Sequence, residues 1–135
     1  MLSIRREQMQ ALSEYMRQSI EDRMVRHLAI SFPPQFKAMT SEGSGDQPVR
    51  ALIRKGIERA ARYQIVSRRD VGRFIEVMVA VDPMFDERKD LAWARQILQH
   101  PGFTSQGKMD LIYQRLRDPE NAHLLRNDSH VQGRQ

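Results

Sequence analysis

The sequence predicts an all-α fold, a single-domain bundle of about five helices with a long N-terminal helix and a buried central helix over about residues 68–81. Three observations carry this prediction. Apolar residues recur at helical spacing between breaks made by Pro, Gly and Asp. The run from Val71 to Val81 is apolar on nearly every side yet too short to cross a bilayer. No second segment alternates convincingly in the manner of a strand. A helix apolar all round belongs inside a bundle, so this run defines the middle of the molecule. A length of 135 residues suits one core, placed in residues 1–118, with a polar and flexible tail over 119–135.

Ser3 is placed to cap the first helix, and no Pro or Gly follows until Pro33 and Pro34, so a helix of roughly 28 residues is expected. Met9, Leu12, Met16, Ile20 and Met24 fall in one arc of about 120°, with Glu7, Glu14, Arg17 and Glu21 to one side. A short turn of helix around residues 35–39 and a Gly/Ser loop over 40–47 lead to a second helix, whose first turn holds Pro48. Val49, Leu52, Ile53, Gly56, Ile57, Ala60 and Tyr63 share one face of it. A glycine there costs about 1 kcal/mol of helix propensity against alanine, which a close helix-helix approach would offset.

Ser67 followed by Asp70 reads as a capping box with Asp in place of Glu, opening the central helix on which Arg73 and Glu76 leave a narrow polar strip. A fourth helix opens at Asp86 or Asp90, carries Leu91, Trp93, Ala94, Ile97 and Leu98, and stops at His100-Pro101-Gly102. A fifth begins near Thr104 and ends at Asp118-Pro119. Beyond it only the Leu124-Leu125 pair offers an anchor.

Function is less legible. With no cysteine, disulfide scaffolds, Cys-based zinc sites and thiol nucleophiles are excluded together, and a reducing compartment is compatible with the chain. The N-terminus MLSIRREQMQ is charged within five residues and lacks the apolar core of an export signal, and no stretch suits a membrane span, so a cytoplasmic protein is expected. His27, His100, His123 and His130 show no metal-ligand spacing. Glu21/Asp22 and Asp86/Glu87 are neighbours that diverge by about 100° on a helix, so they read as solvated or capping groups. Nucleophile elbows, phosphate loops and dinucleotide fingerprints are missing, and the expectation is a protein that is not an enzyme and takes no metal or cofactor.

Two binding readings remain. The second helix, the turn Gln64-Ile65-Val66 and the central helix imitate a helix-turn-helix, with Arg68, Arg69 and Arg73 as candidate nucleic-acid contacts and a net charge of +5 in favour. Against it, a recognition helix needs a wide exposed face, and this one is mostly apolar. The other reading is a protein-binding stripe on the first helix, formed by Met9, Leu12, Tyr15, Met16 and Ile20, where methionine supplies a deformable apolar surface. A homodimer through that helix stays open.

EDRMVRHL (21–28), IRKGIERAARYQIVSRRDVGRFIEVM (53–78) and DLAWARQIL (90–98) followed by GKMDLIY resemble a family of small, mostly uncharacterised bacterial proteins. Those proteins are encoded beside spike, PAAR-tip and toxin genes in type VI secretion clusters. The resemblance covers most of residues 4–117 and implies a role in effector loading, as an adaptor, co-chaperone or accessory binding factor whose partner is an effector, adaptor or spike component. It carries no catalytic motif. The chain departs from the pattern in its Gly/Ser loop before Pro48, in Gln64 where the turn usually has Gly, and in the stretch from Pro119. Because glycine permits positive φ, Gln64 is expected to need a different turn geometry.

Overall fold

Phe74 is fully buried in the core. The computed structural model describes residues 6–125, with side chains from Glu14 onward except Met16. Six α-helices follow in order: α1 (Arg6–Ser31), α2 (Pro33–Thr40), α3 (Gln47–Arg62), α4 (Arg68–Ala80), α5 (Ala92–Gln99) and α6 (Ser105–Arg117). Three 3-10 turns complete the described residues, at Phe85–Glu87, Lys89–Leu91 and Pro119–Leu124. The described residues form an all-α bundle without strands. The sixth helix is α2, which two prolines start in the positions where a missing N–H does no harm.

α4 is the buried central helix. Val71, Phe74, Ile75, Val77, Met78 and Val79 are all buried, and α1, α3 and α6 pack around them. The N-cap forms as the Ser67/Asp70 spacing requires: the Ser67 hydroxyl oxygen accepts from the Asp70 N–H at 3.2 Å and its O–H donates to the Asp70 carboxylate at 3.0 Å. The shorter acid thus binds the cap hydroxyl rather than reaching the cap's backbone as Glu would. At Gly56 the backbones of α3 and α4 come together: a Cβ there would lie 2.5 Å from Ile75 Cγ1 and 3.0 Å from Met78 Sδ.

The α3–α4 joint corrects one expectation. Gln64 keeps the turn that glycine would make, with φ at 61°. Its N–H donates to Ala61 O and the Ile65 N–H to Ala60 O, both at 3.0 Å, which is the paired 5→2 and 6→1 pattern of a Schellman end, and Ile65 and Ala60 are both fully buried. A side chain in the left-handed region costs roughly 1–2 kcal/mol, of which the entropy of a glycine would return part. Gln64→Gly is therefore expected to raise stability by up to about 1 kcal/mol in urea unfolding.

The fourth predicted helix begins later than expected. Neither Asp86 nor Asp90 caps it; the chain makes two 3-10 turns over 85–91, and α5 starts at Ala92. The reason is burial of Phe85, whose ring lies 5.0 Å from that of Phe74 and pulls Asp86 inward with it. α6 starts as Thr104 predicts, its hydroxyl oxygen accepting from the Gly107 N–H at 3.0 Å. In the segment read as a tail, Pro119–Leu124 forms a 3-10 turn with Leu124 buried. Ser3 and residues 126–135 lie outside the described residues.

Candidate functional site

Most charged side chains near the core are tied into packing. Glu21 and Asp86, read from sequence as solvated or capping, are each only 2% exposed. Arg50 donates to Glu21 and Asp22 at 2.9 Å, and Arg54 Nε donates to the other Glu21 oxygen at 2.9 Å, joining α1 to α3. Burial pushes the Glu21 carboxyl up, but the hydrogen bonds from Arg54 and Arg50 outweigh it and leave it below its ordinary value of 4.5. A carboxyl held lower in the folded than in the unfolded chain adds stability above the unfolded value and loses it as pH falls through the folded one. The gap in melting temperature between the protein and Glu21→Gln is therefore expected to be widest above about pH 5 and to close in acid.

Arg59 and Asp86 form a second buried pair, in which Asp86 also accepts from the Tyr63 hydroxyl at 2.7 Å. Burial pushes the Tyr63 hydroxyl up, so it remains a donor. Lys108, only 5% exposed, donates to Tyr63 O at 2.8 Å, and its burial lowers the ammonium's pKa. These groups have structural partners, and Tyr63 and Lys108 also line a hollow of about 430 Å³ with Glu87, Arg95 and His100.

A different arrangement lies where α1 crosses α4. His27 Nε2 and the Tyr113 hydroxyl bind the two oxygens of Glu76, joining α1, α4 and α6. Burial, then the bond to Glu76, pushes the Tyr113 hydroxyl far up, which fixes it as the donor. Arg73 lies 4.9 Å over the Tyr113 ring and donates to Asp110 at 2.7 Å and Asp70 at 3.2 Å. Beside this bridge opens a cleft of about 470 Å³, floored by Ile20, Met24 and Gly72. Its rim carries Arg23, His27, Arg68, Arg69 and Arg73 against Glu76 as the one acid. Arg23, Arg68 and Arg69 are exposed and have no ion-pair partner among the described residues. On the other side, Glu76 and Tyr113 line a second hollow of about 500 Å³ with Phe32, Ala80 and Leu116.

The candidate residues separate accordingly. Tyr15 is 70% exposed on α1, whereas Ile20 is 8% exposed and belongs to the core at the cleft floor, so it does not extend an outward stripe. The side chains of Met9, Leu12 and Met16 lie outside the described residues. Arg68 and Arg69 stand free on the first turn of α4, but Arg73 is held by two carboxylates and is not available to a groove in the way a recognition residue must be. Arg23, which pattern reasoning passed over, completes the basic rim from α1. No three His, Asp or Glu side chains converge as a metal site among the described residues, and no described helix is long and apolar enough to cross a membrane. The chain matches no model of a known protein family, no curated protein and no solved structure.

Proposed function

We propose that this chain is a non-catalytic protein-binding accessory factor of a type VI secretion effector cluster, an adaptor or co-chaperone acting in the cytoplasm. The observation that carries the binding half of this reading is the cleft between α1 and α4, where three arginines without partners among the described residues surround an apolar floor. Many of the buried or half-buried charges hold helices together, whereas this rim gathers three arginines, unpaired among the described residues, beside apolar area. The resemblance of residues 21–28, 53–78 and 90–98 to proteins encoded in such clusters supports the secretion half.

The test is co-expression of a tagged chain with its own gene cluster. An effector, adaptor or spike component should elute with it at stoichiometric ratio, and elution of the chain alone would overturn the reading. A helix-turn-helix-like DNA-binding regulator is the second reading, favoured by Arg23, Arg68 and Arg69. α4, however, presents little besides its first turn, since Val71, Phe74, Ile75 and Met78 are buried. Absence of a mobility shift with cluster DNA at low salt would eliminate it.

A further inference from the structure

We infer that the α1–α4 cleft receives an acidic amphipathic helix of a partner protein, an inference that rests on the protein-binding reading and names the partner's chemistry. The floor and the rim make separate arguments. Ile20 and Met24 on the floor and His27 on the rim succeed one another along α1 over two turns of helix, about 10 Å. That length matches an occupant presenting apolar residues one turn apart, with carboxylates to either side where Arg23, Arg68 and Arg69 stand.

Two local features of α4 work against helix stability and both border the cleft. Arginines at the first two positions oppose the helix dipole, which favours acidic groups there. Gly72 occupies a mid-helix position at the cleft floor, where an alanine Cβ would meet only Met24 Sδ, at 3.4 Å, an ordinary contact. Unlike Gly56, it is not required by packing, and the room it leaves is cleft depth. Arg73 and Glu76 are already bound, to Asp70 and Asp110 and to His27 and Tyr113, so the charge left for a ligand is positive.

The experiment uses the full chain and two labelled peptides of equal length, both with leucine on one helical face, flanked by glutamate in one and by lysine in the other. A DNA duplex serves as third probe. The glutamate peptide should bind in fluorescence anisotropy and the lysine peptide should not. Arg68→Glu/Arg69→Glu should weaken the glutamate peptide by about tenfold or more while its melting temperature holds or rises, since acids on the first turn suit the dipole. Gly72→Leu, which fills the floor, should weaken it without a change in salt dependence. Failure of the glutamate peptide to bind, equal binding by the double variant, or tighter binding of DNA lost in the same variant would each overturn the inference. Co-expression separates the two levels. If a cluster protein elutes equally with Arg68→Glu/Arg69→Glu, the cleft assignment falls and the accessory-factor reading stands; if the peptide binds but no cluster protein elutes, the cleft stands and that reading falls.

Discussion

Asp86→Ala should remove about 3–5 kcal/mol of folding stability. Asp86 and Arg59 are 2% and 5% exposed, so the substitution leaves a guanidinium inside the protein without its hydrogen-bonded, buried counter-charge. What remains to it is Pro83 O, at 3.0 Å from Nη1, the Met84 sulfur and the half-exposed Glu87 carboxylate, 3.9 Å from Nη2 and beyond hydrogen-bond reach, while Arg59 Nε has no hydrogen-bond partner even in the intact protein. The Tyr63 hydroxyl loses its acceptor as well. Domains are stable by about 5–15 kcal/mol, so a loss of this size populates the unfolded state appreciably at physiological temperature. Urea unfolding measures it directly. Arg59→Met/Asp86→Leu should recover much of the loss, because a buried pair replaced by apolar groups of similar volume is often neutral. A loss below about 1 kcal/mol in the single variant would mean that water reaches Arg59 and that the pair is not the buried clasp described.

The second large effect is expected at Gly56. Alanine there should cost stability despite gaining about 1 kcal/mol in helix propensity, because its Cβ meets Ile75 Cγ1 at 2.5 Å and Met78 Sδ at 3.0 Å. Ile75 is fully buried and branched at Cβ, and cannot swing aside without disturbing α4. Leucine has to push the helices apart, for a net loss above about 2 kcal/mol. Gly72→Ala makes the control: the same exchange on the neighbouring helix meets no tight contact and should stabilise by about 0.5–1 kcal/mol. Thermal melts of the three variants should therefore rank Gly72→Ala above the natural chain, and that above Gly56→Ala and Gly56→Leu. Any other order places the α3–α4 approach elsewhere.

Local chemistry made much of this fold legible in the sequence. Ser67, Thr104, Pro33-Pro34 and His100-Pro101-Gly102 act within a turn of where they stand, and the all-round apolar character of 71–81 is a property of that segment alone. The buried charges show the limit of such reading. Glu21 lies three residues before Met24 and seven before Leu28, hence on their face, and this signal was available; its partners Arg50 and Arg54 come from another helix and no spacing names them. Asp86 gave no signal at all, since a 3-10 turn has no apolar periodicity long enough to betray which side is inward. The cleft was half visible. Arg68 and Arg69 stood out as a basic pair, while Arg23 joins them only because α1 crosses α4 some 45 residues away in the chain.

Glu76 is a party wall. It borders the arginine-rimmed cleft and also the apolar hollow under α6, and its two oxygens are claimed from opposite directions by His27 and Tyr113. Truncating it would remodel both chambers in one stroke, so no phenotype of that change could be credited to either. Gly72 belongs to the first chamber alone and Ala80 to the second, eight residues apart on the same helix, and enlarging each in turn is how the two spaces come to be told apart.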